Sequence, residues 1–207
     1  FNTPAGVQKA ADTCRDLGIG GVVVIGGDGS FRGARDLTNA GIPCVGIPGT
    51  IDNDIQCSEY TIGFDTAMNT AMEMVDRIRD TAQSHDRCSV VEVDRMQFTQ
   101  MTGKKHFIVV VAEGIGGVEQ LAKDIGDKTG IESRATVLGH VQRGGSPTLR
   151  DRVVASEMGY KAVELLVQGK SNRVVAMRHG DIVDFDITEA LQMKKQFNKE
   201  LYDIALK

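Results

Sequence analysis

Two carboxylates, an amide and a hydroxyl stand within five residues in Thr50-Ile51-Asp52-Asn53-Asp54, directly after Pro48-Gly49. Pro followed by Gly is a turn signal, so the pattern predicts a loop that carries polar side chains. Such a loop can take a proton from a hydroxyl, donate to a phosphoryl oxygen, or hold a cation. Standing alone, the run would be a solvated Asx-rich turn. A second run lies upstream, Gly26-Gly27-Asp28-Gly29-Ser30. Its three glycines let backbone N–H groups come close to an anion, and Ser30 is expected to cap the helix that follows. Asp28 suits a phosphate site only with a cation, Mg²⁺, between carboxylate and phosphate. Taken by itself this run is an ordinary tight strand-to-helix turn; it is neither a Walker A loop nor a G-x-G-x-x-G fingerprint. A third run is Leu138-Gly139-His140-Val141-Gln142-Arg143-Gly144-Gly145-Ser146-Pro147. A lone His is more often structural, but His140 lies beside Arg143, whose fork fits phosphate-ester oxygens.

The elements that must position these runs follow a βα alternation. Gly21–Ile25 is a continuous apolar stretch, the pattern of a strand buried on both faces in a parallel sheet, and it runs into the glycines. Gly41–Ile47 reads as a short strand that delivers the Pro48–Asp54 loop. Polar loops just past strands are where α/β sheets place their chemistry. Thr3-Pro4 starts a helix with Thr as N-cap, its apolar residues being Ala11, Cys14 and Leu17. From Phe64 to about Thr81 the residues Phe64, Ala67, Met68, Ala71, Met72, Val75 and Ile78 keep helical spacing, with the methionines as core filling. Phe107–Ala112 reads as another buried parallel strand, with Glu113 at its carboxyl end. Arg152–Gln168 reads as a helix stopped by Gly169. No fixed-period repeat or low-complexity tract is present.

Three phosphate-shaped features with carboxylates fit a kinase acting on a small phosphorylated substrate. The sequence resembles the ATP-dependent 6-phosphofructokinase family in Gly26–Ser30, Pro48–Asp54, Thr61–Ala67, and Arg134 to His140 on through Pro147. Several runs in family order make the resemblance specific. It implies an α/β fold of two similar three-layer α/β/α units with mostly parallel sheets. Residues 1–63 plus 142–190 would bind nucleotide, residues 64–141 would bind sugar phosphate, and residues 191–207 would be a C-terminal helical segment.

The resemblance also assigns roles. Asp52 would be the base toward the 1-hydroxyl of fructose 6-phosphate. Thr50 would hydrogen-bond the transferring phosphoryl group. Asp54 and Asp28 would serve the Mg²⁺–phosphate end, with Asp28 as metal ligand. Gly26 to Ser30 and Gly33 would line the ATP. Glu113, His140 and Arg143 would hold the sugar and its 6-phosphate. Arg87 and Arg134, which by sequence alone are exposed charges, would reach that phosphate from a neighbouring subunit. The implied assembly is a homo-oligomer, a tetramer, with shared active sites. Arg79 and Lys104, with the neighbouring Thr102, match an effector site; the plainer reading is two solvated cations. Gly29 and Gly49 stand where pyrophosphate-using relatives carry larger charged side chains, which points to ATP as donor.

The departures are as informative. The sequence begins at Phe1 and lacks the family's first strand, its early glycine-rich nucleotide loop and the Arg-Phe pair that lies against the nucleotide. Inside the chain, Ser89–Val93 should lead into a Met-Gly-Arg run that contacts substrate. Asp94-Arg95-Met96-Gln97 follows instead, and the pattern resumes near Gly103-Lys104-Lys105-His106. A true internal deletion would remove a core strand and helix pair, so a longer polypeptide is the favoured reading. The runner-up readings are a non-catalytic subunit that binds sugar phosphate, or a pyrophosphate-dependent relative.

Composition excludes several classes. The 207 residues suffice for a substantial core and one or two domains. Hydrophobic residues make up 41% without a run long enough to span a membrane. No secretory signal is visible in these residues, and a cytoplasmic location is expected. Cys14, Cys44, Cys57 and Cys88 show no C-x-x-C spacing and read as thiols in a reducing compartment. A net charge of −4 and no basic stripe argue against nucleic acid as partner.

Overall fold

A computed structural model describes residues 3–84, 87–93 and 107–194. The order is α1 (Pro4–Asp16), β1 (Val22–Gly26), α2 (Asp28–Asn39), β2 (Cys44–Pro48), α3 (Phe64–Ser84), β3 (Cys88–Val93), β4 (Phe107–Ala112), α4 (Val118–Thr129), β5 (Ser133–Val137), α5 (Leu149–Val167), β6 (Arg173–Arg178), β7 (Asp181–Asp186) and α6 (Ile187–Gln192). Short 3₁₀ turns occupy Glu113–Ile115 and Gly139–Arg143. By internal contact these residues form two compact units, one reaching Phe64 and resuming at Pro147, the other running from Asp65 to Ser146.

The first unit is built on a sheet ordered β1-β2-β6-β7, in which β1, β2 and β6 are parallel and β7 is antiparallel. Strand β2 is buried throughout, as a central parallel strand must be. Alternation along β6 sends Val174 and Ala176 to one face and Val175 to the other. On the first face they meet Phe31, Ala34 and Leu37 of α2 and Ile187 and Ala190 of α6. On the second lie Val154, Met158, Ala162 and Leu165 of α5. Gly46 of β2 is where α2 presses closest, since a Cβ there would sit 2.8 Å from the Phe31 ring. The result is a helix–sheet–helix sandwich.

The second unit repeats the plan on a parallel sheet ordered β4-β3-β5. Helix α4 covers one face through Val118 and Ala122 against Cys88, Val90 and Val111. Helix α3 covers the other through Ala71, Met74, Val75 and Ile78 against Val91 and Leu138. The expected α/β class with mostly parallel sheets is what the chain adopts.

Several local expectations are corrected. Helix α2 starts at Asp28 with Gly27 as its cap, so Ser30 lies inside the first turn and does not cap it. Its side chain instead fills the space beside Gly26, where a Cβ would stand 2.3 Å from Ser30 Oγ. Strand β1 is not buried on both faces: among the described strands it lies at the sheet edge, and Ile25 is 65% exposed. Strand β4 is likewise an edge, with only Val111 of its residues buried. Leu17 caps α1 from an exposed position, and Met72 points to solvent and does not fill the core. Helix α5 begins three residues earlier than expected, because Thr148 accepts from the Asp151 N–H and caps it. Of residues 191–207, expected as a helical segment, Leu191 and Gln192 end α6, Met193 and Lys194 are not helical, and 195–207 lie outside the described residues.

Candidate functional site

In the first unit, parallel pairing sets Gly26 opposite Pro48, so β1 and β2 end side by side and release both loops at the same sheet edge. The Gly49 N–H donates to the Gly26 carbonyl at 3.0 Å and ties the loops together. A Cβ on Gly49 would stand 2.7 Å from Ile25 Cγ2, so the second loop crosses directly over β1. The first loop opens α2, whose first turn offers N–H groups and the positive end of its dipole around Gly27, Asp28 and Gly29. Asp28 is half-buried, while Gly29 and Ser30 are exposed. Gly33 lies one turn further along α2.

The loop after β2 is held from several directions. The Asp52 N–H donates to Thr50 Oγ1 at 3.3 Å, closing a small turn around the hydroxyl. Asn53 takes a left-handed conformation with φ 48°, which Asn tolerates better than most residues. Thr61 Oγ1 donates to the Thr50 carbonyl at 2.6 Å, and the Ile62 N–H donates to the Pro48 carbonyl at 2.9 Å. Further along, Arg178 donates to the carbonyls of Cys57 and Gln56, and the Met177 N–H donates to Ser58 Oγ. Thr50, Asp52 and Asp54 are all half-buried. The structure therefore brings Gly26–Ser30, Thr50, Asp52 and Asp54 into one region of one unit.

Cys57 is fully buried below this loop. Burial pushes its thiol up to about 11; Arg178 opposes that rise, and the Asp28 carboxylate adds to it.

In the second unit the candidate residues fall at two opposite ends of the sheet. Glu113 follows β4, and His140 and Arg143 lie in the turn after β5, so all three stand past strand carboxyl ends, exposed. Arg87 precedes β3 and Arg134 is the second residue of β5, both at strand amino ends. Three residues of β5 lie beyond Arg134 and the six of β3 follow Arg87, which is roughly 10–20 Å of strand at the usual rise. Arg87 is not the exposed charge expected from sequence alone, its side chain being 23% exposed. It pairs with Glu132 at 2.9 Å, and Arg134 pairs with the same carboxylate at 2.8 Å. Those two arginines hold the Glu132 carboxyl below its ordinary range. With Arg77, Thr81, Ser89 and Thr136 they line a groove of about 240 Å³ between α3 and the sheet.

Arg79 pairs with Asp76 at 3.2 Å on an exposed stretch of α3. Lys104 and Thr102 lie outside the described residues, as do residues 94–97, where the pattern departs from the resemblance. Sequence reasoning missed Glu132, Tyr60, Arg178 and Asp151. Only Asp151 left a trace, in the Thr148-x-x-Asp151 capping spacing.

Among the described residues no group of three or more His, Cys, Asp or Glu comes together as a metal cage. A half-buried Asp28 beside an amide-rich turn fits a different donor set, in which phosphate oxygens and water supply most ligands of a Mg²⁺ ion. No helix among the described residues is long and apolar enough to cross a membrane.

The Phosphofructokinase family pattern matches residues 1–94 and 94–166, breaking where the chain departs from the resemblance. The ATP-dependent 6-phosphofructokinase of Clostridium botulinum (strain Loch Maree / Type A3) is 48% identical over 239 positions, spanning 99% of this chain and 75% of that protein. The phosphofructokinase of Pichia pastoris, solved in the T-state, superposes with a TM-score of 0.82 at 25% identity over 93% of this chain and 29% of that one. A pyrophosphate-dependent phosphofructokinase from Marinobacter aquaeolei shares the fold, with a TM-score of 0.77 at 18% identity over 97% of this chain and 67% of its own. The chain belongs to the phosphofructokinase family.

Proposed function

We propose that the protein transfers the terminal phosphoryl group of ATP to the 1-hydroxyl of fructose 6-phosphate, giving fructose 1,6-bisphosphate and ADP, the committed step of glycolysis. The observation that carries the reading is the Gly49–Gly26 hydrogen bond, which joins an amide-rich anion cradle to a loop bearing Asp52, Thr50 and Asp54. A name shared by relatives at 48% identity supports it.

Phosphoryl transfer asks a protein mainly for positioning and charge stabilisation. Gly26, Gly27, Gly29 and Ser30, with Gly33 behind them, line the triphosphate with backbone amides. Thr50 donates to the phosphoryl group in flight. Asp52 orients the sugar hydroxyl and accepts its proton late in the transfer. Asp28 would hold Mg²⁺, with Asp54 directed at the same end. When bound, the ion neutralises charge on the phosphates. Glu113, His140 and Arg143 hold the sugar and its 6-phosphate.

Arg87 and Arg134 serve the active site of a neighbouring subunit in a homo-oligomer, in our reading a tetramer. Their position at the strand ends opposite Glu113 and His140 supports this division. Arg79 and Lys104 belong to an effector site, and the enzyme works in the cytoplasm. Residues 1–63 with 142–190 form the nucleotide-binding domain, and residues 64–141 the sugar-phosphate domain.

The test is a coupled assay on the purified full polypeptide with fructose 6-phosphate, Mg²⁺ and either ATP or pyrophosphate. Turnover with ATP alone is expected. Turnover with pyrophosphate alone, or sugar-phosphate binding without turnover, overturns the reading.

A further inference from the structure

Asp151 is the third residue of α5 and 2% exposed, which is unusual for a carboxylate. Its Oδ1 accepts the Tyr60 hydroxyl at 2.6 Å and the Gly63 N–H at 2.8 Å, 91 and 88 residues away in sequence. The segment between these donors also binds the Pro48–Asp54 loop. Thr61, 0% exposed, donates its hydroxyl to the Thr50 carbonyl, and the Ile62 N–H donates to the Pro48 carbonyl. Tyr60 and Gly63 thus grip α5 while Thr61 and Ile62 grip the loop. Thr50 in turn fixes the next turn through its hydroxyl and the Asp52 N–H. All these contacts lie within the first unit.

A carboxylate at the third position of a helix suits the helix dipole, but an exposed side chain serves that purpose as well. Burying one costs free energy unless it is hydrogen-bonded, so a buried acid that spans distant segments points to a need for fixed geometry.

We propose that Asp151 is a positioning residue for phosphoryl transfer, setting the backbone that carries Thr50 and Asp52 through Tyr60 and Thr61. The inference rests on the proposed function. Asp151 touches neither substrate nor reacting atoms; it acts by holding a loop that does. Displacing a catalytic group by about an ångström costs on the order of 100-fold in rate, so slackening this clamp falls on kcat.

The experiment compares the parent with Tyr60→Phe, Thr61→Val, Asp151→Ala and Asp151→Asn in the full polypeptide. It measures kcat and both KM values at a temperature where each variant is folded, and sugar-phosphate binding by calorimetry. Tyr60→Phe keeps the ring that lies under Arg150, and so isolates the hydroxyl. Tyr60→Phe, Thr61→Val and Asp151→Ala are expected to lower kcat by roughly 10–100-fold with little change in either KM or in sugar-phosphate affinity. Asp151→Asn, which keeps an accepting oxygen in place, is expected to restore most of that loss. Lower melting temperatures with full kcat in Tyr60→Phe and Thr61→Val would make the network merely structural and overturn the inference. Should Asp151→Ala fail to fold, those two variants still decide it. A parent without turnover overturns the functional reading and this inference together; an active parent with fully active variants overturns this inference alone.

Discussion

Gly49 donates its N–H to the carbonyl of Gly26 at 3.0 Å, so the two segments that leave β1 and β2 are tied together where they leave the sheet. Glycine matters differently at the two positions proposed to distinguish ATP from pyrophosphate. At Gly49 a side chain would meet Ile25 Cγ2 at 2.7 Å, whereas at Gly29 nothing lies within 4 Å.

Gly29 therefore allows a clean test of the donor. Gly29→Asp places a carboxylate in the first turn of α2, where it gains helix propensity and a favourable dipole contact of ~0.5–1 kcal/mol. The fold should be as stable as the parent or slightly more so by urea unfolding. The same carboxylate faces the proposed triphosphate, and like charges ~4 Å apart repel by roughly 1–4 kcal/mol. The KM for ATP should rise about tenfold or more while the KM for fructose 6-phosphate stays put. An unchanged KM for ATP would remove Gly29 from the nucleotide site.

Asp52 is proposed to act only as the hydroxyl is being phosphorylated. Asp52→Ser should lower kcat by roughly 10²–10⁴-fold and leave both KM values near the parent's, the pattern of an interaction made in the transition state. Steady-state kinetics with both substrates varied would check it. Turnover within a factor of about two of the parent would assign the base elsewhere.

Arg134 and Arg87 converge on Glu132 at the strand ends away from Glu113, His140 and Arg143. If they complete a neighbour's site, Arg134→Ala should raise the KM for the sugar phosphate at nearly constant kcat. It should also be rescued by mixing. Hybrid oligomers formed with Asp52→Ser subunits contain some sites whose two halves are both intact, so co-refolded mixtures should exceed the sum of the separate activities. Strictly additive activity in mixtures of confirmed hybrids would place every site within one subunit.

Much of this architecture was legible because the chain follows period and punctuation. Continuous apolar runs gave β1 and β4, and Thr3-Pro4 gave the start of α1. The Pro48–Asp54 run fell on a loop because Pro and Gly mark turns. What stayed hidden depends on pairing across distance. Ile25 reads as core until its strand is seen at a sheet edge, and Met72 reads as core until the covered face of α3 is known. Glu132 has no motif around it; only the parallel register of β3 with β5 brings Arg87 and Arg134 to the same carboxylate. Asp151 looks like a helix-start acid, and its hold on Tyr60 appears only when residues 91 positions apart meet.

Burial of Cys57 makes the fold less stable as pH rises into the alkaline range. Burial raises its thiol to about 11 from an ordinary 9.0, so between these values the unfolded chain loses a proton that the folded chain keeps. Stability from this group is intact below pH 9, falls as pH rises, and is lost once pH passes 11, a change of at most ~3 kcal/mol. Chemical unfolding between pH 8 and 11 should show this decline, and Cys57→Ala should flatten it while lowering stability at pH 8 through the space it leaves. The same burial should protect Cys57, Cys44 and Cys88 from a disulfide reagent in the native state, leaving the partly exposed Cys14 to react first. Rapid labelling of Cys57 at pH 8 without unfolding would show that the loop after Asp54 opens far more readily than its contacts with Arg178 imply.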